Sequence, residues 1–317
     1  MSDMNRRSGL AFALLAYGLW GVFPLYFMQM AYASAVEIVA NRIVWSMLLC
    51  VAILAMTRHL GDLRRIACDA HQRRYLLAAA ALISLNWTAY VYAANNGQIL
   101  QASLGYFINP LVTVVLAVLI LHERLRLWQW LAIALALIGV VTLSIAYGHP
   151  PWIALVLAFS FGLYGLTKNF AGRRTGAVQS LAVETLLLSP FALGVLAWLA
   201  ARGEIHYATH GWVSFVWLMS TGIATTLPLG SFAAAARRLP LSALGMLQYL
   251  TPSLQFVVGA VIAHETMTPL SWIGFTLIWL ALALFSVDAM RAARRSRRAK
   301  RQEAEREALQ AQSQEVH

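Results

Sequence analysis

Arg42 and Glu184 are the side chains in this sequence best placed to do chemistry, because each lies inside a long apolar run. An ionisable group within a bilayer costs a few kcal/mol at least and needs a reason to be there. Arg42 offers a fixed positive charge to an anionic group, and Glu184 offers a carboxylate to a cation or to a coupling proton. The two stand 142 residues apart. For each, the plainer alternative is a structural salt bridge, or a side chain snorkelling to the nearer interface. Glu37, five residues before Arg42, either pairs with it or faces water at the helix end, and the interfacial reading is preferred.

A second group is polar and aromatic. Asn86, Trp87 and Tyr90 fall on one helical face by i, i+3 and i, i+4 spacing, in a segment that also carries Tyr92, Asn95 and Asn96. Amides and hydroxyls bind an organic molecule, and Trp or Tyr stacks on it or holds a cation. Hydrogen-bonded glue between helices is the competing role. Gly105-Tyr106-x-x-Asn109-Pro110 and Gly245-x-x-Gln248-Tyr249-x-x-Pro252 set a proline in each of two matching segments. Proline frees a backbone carbonyl and permits a kink, the expected role of Pro110 and Pro252. Interrupted helices at corresponding places in two halves mark transport sites, so Tyr106, Asn109, Gln248 and Tyr249 join the candidate substrate lining.

Apolar segments must hold these residues. The 317-residue chain is 60% hydrophobic and 12% charged, about half the charged fraction of a soluble domain. Runs of about 20 apolar residues, enough to cross a hydrocarbon layer of roughly 30 Å, recur ten times: 9–30, 36–57, 75–95, 102–121, 129–147, 151–170, 177–201, 212–233, 242–262 and 271–290. The first follows Arg6 and Arg7 as a secretory signal would, but it exceeds a signal's apolar core and contains Trp20 and Pro24, so it is read as a retained helix. Cys50 and Cys68 are the only cysteines. They supply no disulfide framework or metal cluster, and no metal or cofactor is expected.

The net charge of +11 is explained by where the basic residues fall. With ten crossings and the N-terminus inside, 22 of the 24 lysines and arginines lie in inner segments, leaving Arg202 outside and Arg42 within a helix. This satisfies the positive-inside rule, predicts an N-in, C-in arrangement and removes any need for a nucleic-acid partner. The tail begins with a basic cluster from Arg291 to Arg301 and turns acidic at Glu303, Glu305 and Glu307. Its plain reading is a stop-transfer anchor with a solvated extension, and attraction to anionic lipid is the alternative.

The chain repeats itself. Pro110, His122-Glu123 and Trp130 recur at identical intervals as Pro252, His264-Glu265 and Trp272; Ala102-Ser103-Leu104-Gly105 is echoed by Ser242-Ala243-Leu244-Gly245, with two extra residues before the second proline. Gly18-Leu19-Trp20-Gly21 is echoed by Gly162-Leu163-Tyr164-Gly165, glycines read as close helix contacts. Five crossings per repeat, an odd number, make the second copy enter from the opposite side. The expected fold is an all-α polytopic membrane protein of two inverted five-helix repeats (5+5), residues 9–147 and 151–290, flanked by an N-terminus of residues 1–8 and a basic tail of 291–317. Inverted repeats characterise secondary transporters that work by alternating access. Glu123 and Glu265 are expected to organise helix–loop junctions.

Several segments resemble the EamA-type drug/metabolite transporter superfamily and, within it, the RarD group. They are Ala16-Tyr17-Gly18-Leu19-Trp20-Gly21, Asn41-Arg42-Ile43-Val44-Trp45-Ser46, Asn86-Trp87, Ala93-Ala94-Asn95-Asn96 and, most specifically, Ala102 through Leu111. The resemblance covers residues 9–290 and implies a ten-helix permease of the bacterial inner membrane. The group carries a chloramphenicol-sensitivity label rather than a settled substrate. Related proteins tend to show His where this sequence has Asn41, which weakens a proton-relay role there.

Rival classes leave little trace. No His-Glu-x-x-His, Gly-x-Ser-x-Gly or paired aspartates suggest an intramembrane enzyme, and no ring of repeated charges or selectivity filter suggests a passive channel. Without a phosphate-binding glycine loop, ATP is not expected and the driving force is an ion or substrate gradient. The expected function is therefore a secondary transporter exporting a small organic metabolite or drug, with Glu184 the coupling candidate. The state of assembly, monomer or homodimer, is left open.

Overall fold

In the computed structural model, which describes residues 3–122, 125–171, 176–207 and 209–315, the chain is a bundle of long helices. In order these are α1 (Asp3–Met28), α2 (Ala35–Met56), a short α3 (Leu60–Cys68), α4 (Ala70–Asn95), α5 (Ile99–Leu121), α6 (Leu127–Tyr147), α7 (Trp152–Ala171) and α8 (Ala177–Ala201). A three-residue extended stretch, Thr209–Gly211, leads to α9 (Trp212–Ala236), α10 (Leu241–Leu247), α11 (Leu250–Val257) with a π-turn at Val258–Ile262, and α12 (Pro269–Glu315).

All ten expected segments are helical. Among the described residues nine meet the length and hydropathy of a membrane span, and the tenth, at 151–170, has a shorter apolar part, Trp152–Lys168. Large apolar side chains on the outside, among them Leu119, Leu137, Phe191 and Trp212, are well exposed, as expected where lipid is the solvent. The helix ends follow their residues. Ser34 caps α2 by accepting the Glu37 N–H at 3.2 Å, and Asp69 caps α4 by accepting those of His71 and Gln72 at 2.9 and 3.1 Å.

The two proline-bearing segments differ. Helix α5 runs unbroken through Pro110, whereas the matching segment is divided into α10 and α11 by a turn at Gln248-Tyr249. Pro252 then falls in the first turn of α11, where a missing N–H costs nothing. The two residues by which this repeat exceeds its counterpart lie in the interval containing that turn. His122 and His264, at equivalent positions, are both left-handed, with φ of 54° and 52°. Glu123 lies outside the described residues.

Packing is dominated by a few helix pairs: α6 with α12, α4 with α7, α2 with α8, α5 with α7, α2 with α9 and α1 with α9, followed by α1 with α11, α5 with α11 and α4 with α8. Of the glycines expected at contacts, Gly21 and Gly162 face Leu254 and Leu116, but Gly18 and Gly165 have nothing within 4 Å of an added Cβ. The closest approaches to the backbone of another helix are elsewhere: Gly222 lies against the Trp45 backbone and Gly105 against the Ala154 carbonyl.

Candidate functional site

Arg42 is buried at 5% exposure, about two turns into α2. Its Nε donates to Thr225 Oγ1 of α9 at 2.7 Å, and its guanidinium carbon stands 4.1 Å from the ring centroid of Trp87, with Phe27 and Phe23 at 5.6 and 5.9 Å. Among the described residues no carboxylate lies within salt-bridge distance of it. Taking a charge out of water costs several kcal/mol even after relaxation. A desolvated cation–π contact returns about 2 kcal/mol, and a hydrogen bond made by a charged group about 1.5–3 kcal/mol.

The aromatic surface around Arg42 continues through Tyr90 and Tyr106. Phe27 meets Tyr90 edge-on at 6.0 Å between ring centroids, and Tyr90 lies 5.8 Å from Tyr106. Asn86, fully buried, donates to the Leu157 carbonyl and Ser160 Oγ of α7, both at 3.0 Å, and accepts from Tyr106 at 3.1 Å. It thus acts both as glue between helices and as the group that orients Tyr106. Gln255 of α11, 1% exposed, donates to the Trp20 carbonyl at 3.1 Å and to the Tyr90 hydroxyl at 3.2 Å, while its Oε1 is buried without a partner among the described residues. Arg42, Asn86, Trp87, Tyr90 and Tyr106 therefore stand together, with Thr225 and Gln255 completing the group from α9 and α11.

Glu184 belongs to a different cluster. It is 1% exposed and takes a salt bridge from Lys168 Nζ at 2.8 Å, with Ser180 Oγ at 2.9 Å and the Tyr164 hydroxyl at 3.2 Å. Lys168 also donates to Ser180 and Tyr164. Although α2 packs on α8, Arg42 and Glu184 do not pair; each has its own partners.

Other expected residues are dispersed. Asn109 points toward Gly162 of α7 and leaves its Oδ1 buried without a partner among the described residues. Tyr249 packs with the apolar cluster built from α5, α6, α7 and α12 rather than with Arg42, and Gln248 sits half-buried at the break before it. The preferred interfacial reading of Glu37 is wrong. Glu37 is 0% exposed and holds the backbone N–H of His206 at 2.8 Å and its Nδ1 at 2.8 Å, while Tyr207 donates to Asn41 at 2.7 Å. The loop after α8 folds over the start of α2, which sequence spacing does not reveal. Glu265 organises a junction as expected, by capping from a distance: its carboxylate accepts the N–H groups of Ile99 and Leu100 at the start of α5.

Thr225, Gln255, Lys168 and His206 were not singled out from sequence. A signal existed for Gln255, which follows Gln248 by two helical turns in a segment poor in polar residues. None existed for the others, whose importance comes from cross-helix partners.

The family model for EamA-like transporters matches residues 7–145. The chain is 45% identical to Protein RarD of Streptomyces exfoliatus across 93% of each sequence. It is 43% identical to an uncharacterized transporter of Pseudomonas aeruginosa across 93% of this chain and 98% of that one. A crystal structure at 17% identity aligns with a TM-score of 0.53 over 88% of this chain and 97% of that chain, a likeness of fold.

Proposed function

This chain belongs to the EamA-like transporter family, in its RarD group, as a multi-pass protein of the bacterial inner membrane, and from that premise we propose that it is a secondary transporter moving a small organic molecule by alternating access. The observation that carries this reading is the buried group of Arg42, Trp87, Tyr90, Thr225 and Gln255, assembled from α2, α4, α9 and α11. It draws on both ends of the chain, where a central substrate site of an inverted-repeat transporter belongs.

The proposed architecture is five plus five crossings, N-in and C-in, with repeats 9–147 and 151–290. Exchange of the halves turns α4–α7 packing into α9–α1 and α5–α7 into α11–α1, and leaves α2–α8, α5–α11 and α6–α12 unchanged. Each of these pairs is present. The shared left-handed histidines point the same way. Under this arrangement Glu37 and Glu265 close the outer end while Lys168 and Glu184 tie α7 to α8 toward the inner end.

Alternating access needs contacts that hold one state and release in the other. A proton delivered to Glu184 would break its pairing with Lys168, so Glu184 is the proposed coupling residue and outward movement the proposed direction. The test is flux in proteoliposomes under an imposed pH gradient. Transport that responds to the gradient and loses the response in Glu184→Gln supports the coupling. Flux indifferent to the gradient, or unaffected by the substitution, eliminates Glu184 as the coupling site.

A further inference from the structure

We infer that the substrate is an organic anion, a carboxylate on a flat apolar body, and that Arg42 is the residue that takes its charge. The inference rests on the transport reading above and adds the chemical class of cargo.

Arg42 carries five N–H donors in a planar fork. One, at Nε, is occupied by Thr225, and no other hydrogen bond to its side chain is made among the described residues. The remaining edge, formed by the two terminal nitrogens, has the geometry that binds a carboxylate through two parallel hydrogen bonds. Among the described residues no carboxylate competes for it: Glu37, in the same helix, is held by His206, and Glu184 by Lys168. The buried acids of α2 and α8, Glu37 and Glu184, are thus committed elsewhere, and the buried positive charge is left for a mobile partner.

The surroundings describe the rest of the ligand. Trp87, Phe23 and Phe27 lie around the guanidinium, and Tyr90 and Tyr106 extend the aromatic surface beyond it. Thr225 and Asn86 fix Arg42 and Tyr106 from behind, so the charged fork and the rings are held in place before a ligand arrives. Such a site favours an aromatic or similarly flat body attached to the anion. It disfavours a cation, which would meet Arg42 with no acid among the described residues within salt-bridge distance to offset the repulsion.

The test compares isosteres on the full-length protein in detergent by thermal shift and titration: phenylacetate, indole-3-acetate and benzoate against phenylacetamide and phenethylamine. The expected result is that at least one carboxylate stabilises the protein, with the matching amide at least tenfold weaker and the amine without effect. Arg42→Gln should abolish the response and Arg42→Lys, which keeps the charge but not the fork, should weaken it about tenfold. Amide or amine binding as tight as the carboxylate, silence from every carboxylate, or an undiminished response in a cooperatively melting Arg42→Gln protein would overturn the inference. The wild-type comparison decides even if Arg42→Gln does not fold. Counterflow in proteoliposomes separates this inference from the one beneath it. Movement of the amine but not the carboxylate refutes the anion class while transport stands; a carboxylate that binds through Arg42 but is never moved leaves the site and removes the transporter reading.

Discussion

Lys168 and Glu184 form a salt bridge of 2.8 Å between α7 and α8, with the carboxylate 1% exposed and the lysine 28% exposed. Sequence alone left Glu184 as a lone charge within an apolar run. Its neighbours in space make it half of a pair, and the pair is what a mutation acts on.

Removing Lys168 leaves Glu184 buried and uncompensated. Breaking a buried pair from one side costs about 3–5 kcal/mol, and the partial exposure of the lysine puts Lys168→Met toward the lower end. The double variant Lys168→Met with Glu184→Gln should recover most of the loss. Thermal melts of the four proteins in one detergent measure the coupling, and a double variant as unstable as the sum of the singles contradicts it.

Two helix-capping carboxylates should respond to pH in opposite senses. The N–H groups of Gln72 and His71 hold Asp69 below its ordinary 3.8, so its stabilising effect is present above that value and is lost as pH falls through the lowered one. Burial holds Glu265 above its ordinary 4.5 despite the N–H bonds from Leu100 and Ile99, so its contribution is complete below 4.5 and declines as pH rises through the raised value. Asp69→Asn should therefore flatten the acid limb of a stability profile, and Glu265→Gln should flatten the limb that begins at 4.5. Melting temperatures taken from pH 3 to pH 7 read both.

A Cβ at Gly222 would stand 2.7 Å from the backbone carbonyl of Trp45, whereas one at Gly18 meets nothing within 4 Å. Gly222→Ala should lower stability by about 1–3 kcal/mol because α2 and α9 must move apart. Gly18→Ala should be neutral or stabilise by up to about 1 kcal/mol through helix propensity. Equal melting shifts for the two would mean that this contact does not govern the packing.

His206→Ala removes the imidazole from a carboxylate that water does not reach, leaving the backbone N–H of residue 206 as its remaining bond. The expected cost is about 1–3 kcal/mol. Glu37→Gln in the same background should reduce it, since an uncharged amide is cheaper to bury. Proteolysis within the loop after α8 provides a second readout: cleavage should accelerate in His206→Ala and less so in the double variant.

The long apolar helices, the basic residues gathered in particular turns and the repeat intervals were legible in the linear order, because hydropathy, length and spacing are properties of contiguous residues. So was the polar-aromatic face of Asn86, Trp87 and Tyr90, which helical period alone puts together. Partnership was not legible. Glu37 meets His206 across 169 residues, Glu265 reaches Leu100 across 165, and Arg42 meets Thr225 across 183, and no local rule encodes which helices pack or how deeply. Tertiary structure decided that Glu184 is paired while Arg42 has no acid beside it among the described residues, because a charge's role in a membrane depends on what lies within a few ångströms of it rather than on what precedes it in the chain.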